Sequence, residues 1–501
     1  MKRLAAAGAL ALFASESWSH AFDDRYDLPA PLSYFVTGAT AAVALSFVVT
    51  AWAGRAAPSP IAVRDLRVGR WLAALSLTTR ILSVLLLGLV IASGLYGTRD
   101  PVMNLAPTLV WIVFWGGLSL VVACLGNVWP ALDPWRALHD LLDALSRRVG
   151  CKRGATLDWR YPQALGAWPA VAFLLAIAWI EVVYPEGADP YHLARLVVLW
   201  TAVTLAGRIA FGAEAWERHG DVFALYFALL GRFAPLASGT TRGHIVVRAP
   251  GRALGETPAS SYAVVAFILA MLSTVLFDGL LSGEAWPAFA NLLTRTAPAL
   301  AHSRGYGVGT VGLLGVWLAF IASYALACAL AARLTRPVRS AAYGLALAPA
   351  LLPISIAYAV AHNLSSLLIQ GQQLIPLLSD PLGMRWNLFG TADYVTRIGL
   401  IDAATTWYVA IAAIVAGHVL SVWLTHRIAY RLTGSHRGAV RACVPLTVLM
   451  LAYTAISLAI IAEPMVKFGD PTEAAMIDPA YAGRVAWSAS AWTTRGASIG
   501  C

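Results

Sequence analysis

Long apolar runs recur along this chain with short polar breaks between them. Runs long enough to cross a bilayer lie at 32–53, 71–96, 107–129, 163–183, 193–213, 261–281, 308–332, 341–369, 404–425 and 442–462. A helix needs about 20 mostly apolar residues to cross the hydrocarbon core. Backbone inside lipid must also satisfy its own hydrogen bonds, which a helix does. The pattern therefore predicts an all-α, polytopic integral membrane protein with about ten transmembrane helices. The run 219–236 is shorter and is interrupted by Arg232. It predicts one further helix, re-entrant or interfacial, that does not cross.

Charge sets the orientation. Lys2 and Arg3 precede an apolar run over 4–14 and then small residues, the pattern of a signal peptide covering 1–19, with cleavage after Ser19 or after Ala21. The mature amino terminus is then outside, and ten spans put 54–70, 130–162, 214–260, 333–340 and 426–441 inside. Each of these loops is rich in arginine, from Arg55, Arg64, Arg67 and Arg70 in the first to Arg427, Arg431, Arg437 and Arg441 in the last. This is the positive-inside asymmetry. Counting 219–236 as a span would put the later arginine-rich loops outside. The expected organisation is an outer segment at 20–31, a transmembrane domain at 32–466 and an outer carboxy-terminal tail at 467–501. The expected location is a bacterial inner membrane, with both mature termini on the periplasmic side.

Composition agrees. Of 501 residues, 59% are hydrophobic and only 12% charged, against about 25% charged in soluble domains. Mean hydropathy is +0.68. The net charge of +10 is carried by the inner loops, so the bilayer is the expected partner and nucleic acid is not. The five cysteines form no CxxC or CxxCH pattern, which leaves zinc-ribbon, thioredoxin-like and c-type haem readings without support.

Charges and imidazoles at membrane depth are costly and need a reason. They are Arg80, Glu181, Arg208, Asp278, His362, His418 and Glu463. Arg208 lies near the inner end of its run, where a long side chain can snorkel to water. Arg80 is deeper and calls for a partner. The densest polar stretch is 361–373, where His362, Asn363, Ser366 and Gln370 share one helix side that must face protein or a water-filled cavity. Asn363, Ser366 and Gln370 are candidate substrate contacts, with helix-to-helix hydrogen bonding as the alternative. Asp278 and Glu181, at the outer ends of their spans, are the candidate catalytic carboxylates. His20, His302, His362 and Asp380 offer nitrogen and oxygen donors on the same side, a set suited to a divalent metal such as Zn, Mn or Cu.

Three other patterns carry less. His362 and His418 are the one histidine pair available for a haem, but they differ in depth by well over one helical turn. Gly307, Gly309 and Gly312 match GxGxxG, yet open a membrane span with no strand before them; helix packing explains them. The segment 127–136, with Trp129, Pro130, Asp133, Pro134, Trp135 and Arg136, reads as anchoring at the inner interface.

Three stretches carry a resemblance. They are His20 to Pro29, Ala361 to Gln372, and Ser379 to Gly390. Through them most of the chain resembles a bacterial family of polytopic membrane proteins commonly labelled fenitrothion hydrolase, that is, membrane-bound organophosphate hydrolases. The resemblance implies attack of water on a phosphotriester with release of a phenol, at an outward-facing site open to substrates dissolved in the membrane. A metal would polarise the P=O or P=S group and acidify a water, with a carboxylate such as Asp278 as general base. The alternatives are a permease for a small solute or metal ion, or a membrane anchor subunit for periplasmic partners. A permease needs a continuous polar path, and the charged and imidazole groups thin out inward to His418, Arg80 and Arg208.

Overall fold

The computed structural model describes residues 32–53, 64–67, 71–238, 244–283, 285–303 and 306–466, with backbone alone at 53, 64–67, 71–76, 301–303 and 461–466. The expected signal peptide, His20 and the 467–501 tail lie outside the described residues. The long helices are α1 (Leu32–Ala53), α2 (Trp71–Tyr96), α3 (Leu105–Cys124), α6 (Pro190–Phe211), α9 (Tyr262–Leu281), α11 (Tyr306–Leu334), α12 (Ser340–Ser379), α13 (Ala403–Thr433) and α14 (His436–Val466). These nine, among the described residues, are long and apolar enough to cross a membrane. The chain is an all-α polytopic protein.

Shorter helices fill the remaining places: α4 (Pro134–Arg148), α5 (Trp168–Val182), α7 (Ala213–His219), α8 (Val222–Gly231) and α10 (Ala285–Thr296). The expected span 163–183 becomes α5, whose 15 residues reach only about 22 Å at 1.5 Å per residue. Pro169 sets its start. The expected re-entrant or interfacial helix is α8, 10 residues long, capped at its start by Asp221, whose carboxylate accepts from Phe223 N and Ala224 N. In α4, Pro134 opens the helix and Asp133 caps it, and polar residues alternate with leucines along it.

One departure from the all-helix pattern is a small antiparallel sheet in the order β1–β3–β2, from β1 (Arg64–Arg67), β2 (Leu236–Ser238) and β3 (His244–Val247). Its register pairs Arg64 with Val247 and Leu236 with Val247. The sheet ties the loop after α1 to the loop after α8, so both lie at one end of the bundle. The expected inner loops 54–70 and 214–260 are therefore together.

Helices α9 and α12 are the most deeply buried and sit at the centre. On one side of them pack α1, α11, α13 and α14; on the other, α2, α3, α5 and α6. Small residues set the close approaches. A Cβ on Gly417 of α13 would lie 2.7 Å from the Pro353 carbonyl oxygen of α12. One on Gly312 of α11 would lie 2.5 Å from the Trp286 ring, and one on Gly309 would meet Val183 at 2.7 Å. The GxGxxG stretch is helix packing.

Candidate functional site

Three buried helices bring their costly groups to one place. Asp278 sits in the last turn of α9. His362 lies ten residues into the segment of α12 that begins at Leu352. Upstream, Pro349 and Pro353 break the helix ladder and a 3-10 turn at Ala348–Leu351 forms. His362 Nε2 lies 2.8 Å from Asp278 Oδ2, and the two side chains are 24% and 22% exposed. They are reachable, yet held inside the bundle. Glu181, at the end of α5, faces both electrostatically and is within hydrogen-bonding reach of the Trp115 indole. Its side chain is exposed. The two expected catalytic carboxylates and His362 are thus one cluster.

Trp115 comes from an irregular stretch. Inside α3, Thr108–Gly117 is wound as a π-helix, a form often found at functional sites. Gly116 and Gly117 follow, and their missing side chains let α12 close in. A Cβ on Gly116 would lie 3.2 Å from Asn363 Oδ1, and one on Gly117 would lie 3.2 Å from Leu367 Cδ1. Trp115 also stacks on Tyr226 of α8, with ring centroids 5.0 Å apart. Helix α8 therefore supports the indole that reaches Glu181.

Beside this cluster lies an apolar cavity of about 740 Å³ between α2, α3, α5 and α6. Its wall includes Trp111, Phe114, Trp115, Phe173, Trp200 and Phe223. Ile180, next to Glu181, and Leu367, five residues beyond His362, also line it. The cavity thus reaches the neighbours of the cluster, although Asp278, His362 and Glu181 do not themselves line it. Ligand sites typically combine these two elements: a largely apolar room of ~300–1,000 Å³ and a few converging polar groups.

The other expected site residues are placed differently. Asn363 donates to the Ala359 carbonyl and packs on Gly116. Ser366, one turn beyond His362, and Gln370 are half-buried on α12. The neighbouring Gln372 holds the loop before α13: its amide oxygen accepts from Tyr394 OH and Arg397 N. Asp380 accepts from Met384 N and Arg385 N and so closes its own turn. His302 is described by backbone alone, within a 3-10 segment, and His20 lies outside the described residues. Among the described residues no group of three or more His, Cys, Asp or Glu is placed to hold a metal ion.

Sequence reasoning missed a second cluster. Arg208 does not snorkel; it is fully buried. Its guanidinium binds Asp221 (2.9 Å), Glu217 (2.8 Å) and Asp133. Arg136 binds Glu217 from the other side at 3.0 Å. The segment 127–136 is therefore more than an interfacial anchor, since Asp133 both caps α4 and completes this network. Burial and the adjacent Asp133 push Asp221 up to about 6, against the pull of Arg208. Burial likewise raises Glu217, opposed by Arg208 and Arg136. The signal was two carboxylates, 9 and 13 residues after a membrane-depth arginine, and a third just before α4, but only the fold shows that they meet. Arg80 also has its partner, Asp140 of α4, at 3.0 Å.

No family model matches this chain, nor does any curated protein or any solved structure.

Proposed function

We propose that the chain is a membrane-embedded hydrolase that takes apolar esters from the bilayer, with neutral phosphotriesters as the substrate class. The observation that carries this reading is the Asp278–His362–Glu181 cluster, beside an aromatic-lined cavity that Trp115 and Ile180 line. A neutral triester carries no charge to desolvate, so it partitions into lipid and suits an apolar room. Hydrolysis then needs a proton acceptor for the attacking water and a donor for the leaving group. Two carboxylates and an imidazole within one cleft supply both kinds of group. In this scheme Asp278 holds His362, the pair accepts a proton from water, and Glu181 binds beside it under the Trp115 indole. The metal assistance implied by resemblance finds no three-residue ligand set among the described residues, and no step here depends on one.

The site would face the periplasm of a bacterial inner membrane, following the arginine-rich loops at the opposite end. The test is turnover of fenitrothion by protein in lipid nanodiscs, followed by release of the coloured phenol. Wild type should release phenol. His362→Ala and Asp278→Asn should reduce kcat by ~10²–10⁴, the usual contribution of a positioned acid or base. Wild-type protein that melts cooperatively yet releases no phenol from any triester tested would overturn the hydrolase reading.

A further inference from the structure

A second row of buried polar groups runs from the cluster toward the far end of the bundle, and ester hydrolysis does not use it. It begins at Tyr358, one turn before His362 on α12. Tyr358 is 2% exposed, and its hydroxyl has no hydrogen-bond partner among the described residues. That oxygen lies against α9 beside Asp278: a Cβ on Gly279 would be 3.4 Å from it. Tyr453 of α14 comes next, its ring centroid 6.5 Å from that of Tyr358. Its hydroxyl reaches toward the Leu272 carbonyl at 3.4 Å and has Ser457 beside it. His418 of α13 follows, 5.8 Å from Tyr453 by ring centroids.

His418 is completely buried. Its Nδ1 lies 2.8 Å from the Ile414 carbonyl oxygen. A carbonyl only accepts, so Nδ1 carries the hydrogen and Nε2 is left as a bare acceptor. Nε2 too has no partner among the described residues. Beyond it, the same face of α13 carries buried Ser421, Thr425 and His426. His426 packs on His436 at the start of α14, 5.5 Å between ring centroids, where the helix pair ends.

Buried polar atoms rarely go unpaired, and where protein offers no partner a water usually does. A phenol hydroxyl and an imidazole acceptor flanking Tyr453, both orphaned, are the partners such waters need. Membrane helices also tolerate polar groups at depth chiefly where they line a pathway or relay. We propose that Tyr358, Tyr453 and His418, bridged by buried water, form a proton-conducting file between the Asp278–His362 pair and the sheet-bearing end of the bundle. In each transfer a phenol accepts a proton on its oxygen and releases its own onward. His418 accepts at Nε2 and gives that proton to the next water. Each group forms one bond to hydrogen and breaks one, so the net change is one proton moved from end to end. The file stands whether or not the cluster hydrolyses esters.

The experiment is proton flux into proteoliposomes loaded with pyranine, driven by a potassium gradient with valinomycin. Wild type should acidify the lumen faster than protein-free vesicles. Tyr358→Phe, which removes one buried oxygen and no apolar volume, should return the flux to the protein-free rate, as should His418→Leu. Wild-type flux equal to that of protein-free vesicles overturns the proposal. So does flux that survives both substitutions. Should His418→Leu fail to fold, Tyr358→Phe alone decides.

Discussion

Arg208 shows how far a single residue's role can depend on chain distant in sequence. Its guanidinium faces Asp133, Glu217 and Asp221, so removing it leaves three buried or half-buried carboxylates around an empty space. Breaking a buried ion network from one side costs ~3–5 kcal/mol. Arg208→Met should therefore lower the melting temperature of detergent-purified protein sharply, read by intrinsic tryptophan fluorescence. Arg208→Lys should recover only part of the loss, because one ammonium cannot reproduce the planar fork that binds two partners on Nη2 and a third on Nη1. An unchanged melting temperature in Arg208→Met would mean the network contributes nothing to stability. Asp278, Glu181 and His362 were legible in the sequence because an ionisable group inside an apolar run is expensive wherever it lies. Trp115 and Tyr358 were not. Nineteen tryptophans and 17 tyrosines are spread along the chain, and nothing local distinguishes the two that meet the cluster.

At the scale of elements, close helix approaches and helix ends carry the testable consequences. Gly417 lets α13 lie on α12, with the Pro353 carbonyl and the Ala357 methyl within 2.7 Å of any added Cβ. Both obstacles are backbone or rigid methyl, so neither can turn aside. Gly417→Ala should destabilise by ~1–3 kcal/mol, the range for overpacking, seen as a lower melting temperature; a neutral result would show that the helices can part without cost. The start of α8 offers a pH test. Asp221 is pushed up to about 6 in the fold, from an ordinary value of 3.8. The folded state then holds a proton that the unfolded state has lost between those two values. The resulting stabilisation is complete below pH ~4 and is lost as pH rises through ~6. Asp221→Asn keeps an oxygen to cap Phe223 and Ala224, and should flatten the melting temperature against pH across that window. A slope as steep as that of wild type would assign the dependence to other groups. The α8 run itself was legible as non-crossing from its length and Arg232. Its support of Trp115 through Tyr226 was not, because stacking partners leave no periodic trace.

At the scale of the whole molecule, the question is how many times the chain crosses, and two tertiary contacts constrain it. The sheet joins β1 to β2 and β3, so an even number of crossings must separate residue 67 from residue 236. Helices α2, α3 and α6 make three, and either α5 or α8 must supply the fourth. The Arg208 network decides between them. It joins Asp133, in the chain between α3 and α5, to Glu217 and Asp221, between α6 and α8. These segments share one end, so α5 and α6 both cross and α8 does not. On this count the short α5 is the tenth crossing, which is also where the loop arginines put it by charge. The sheet was not legible, because strands of three and four residues in charged loops carry no alternation long enough to recognise. Seven crossings then lie between Cys151, which is exposed, and the tail ending at Cys501: α5, α6, α9, α11, α12, α13 and α14. An odd number puts the two cysteines on opposite faces. Single-cysteine variants retaining Cys151 or Cys501 should therefore label with a membrane-impermeant maleimide from opposite sides. Cys151 should react in inside-out vesicles, as the arginine-rich loops require, and Cys501 in intact spheroplasts. Labelling of both from one side would mean that one of the seven helices does not cross, and α5, about 22 Å long at 1.5 Å per residue, would be the first to re-examine.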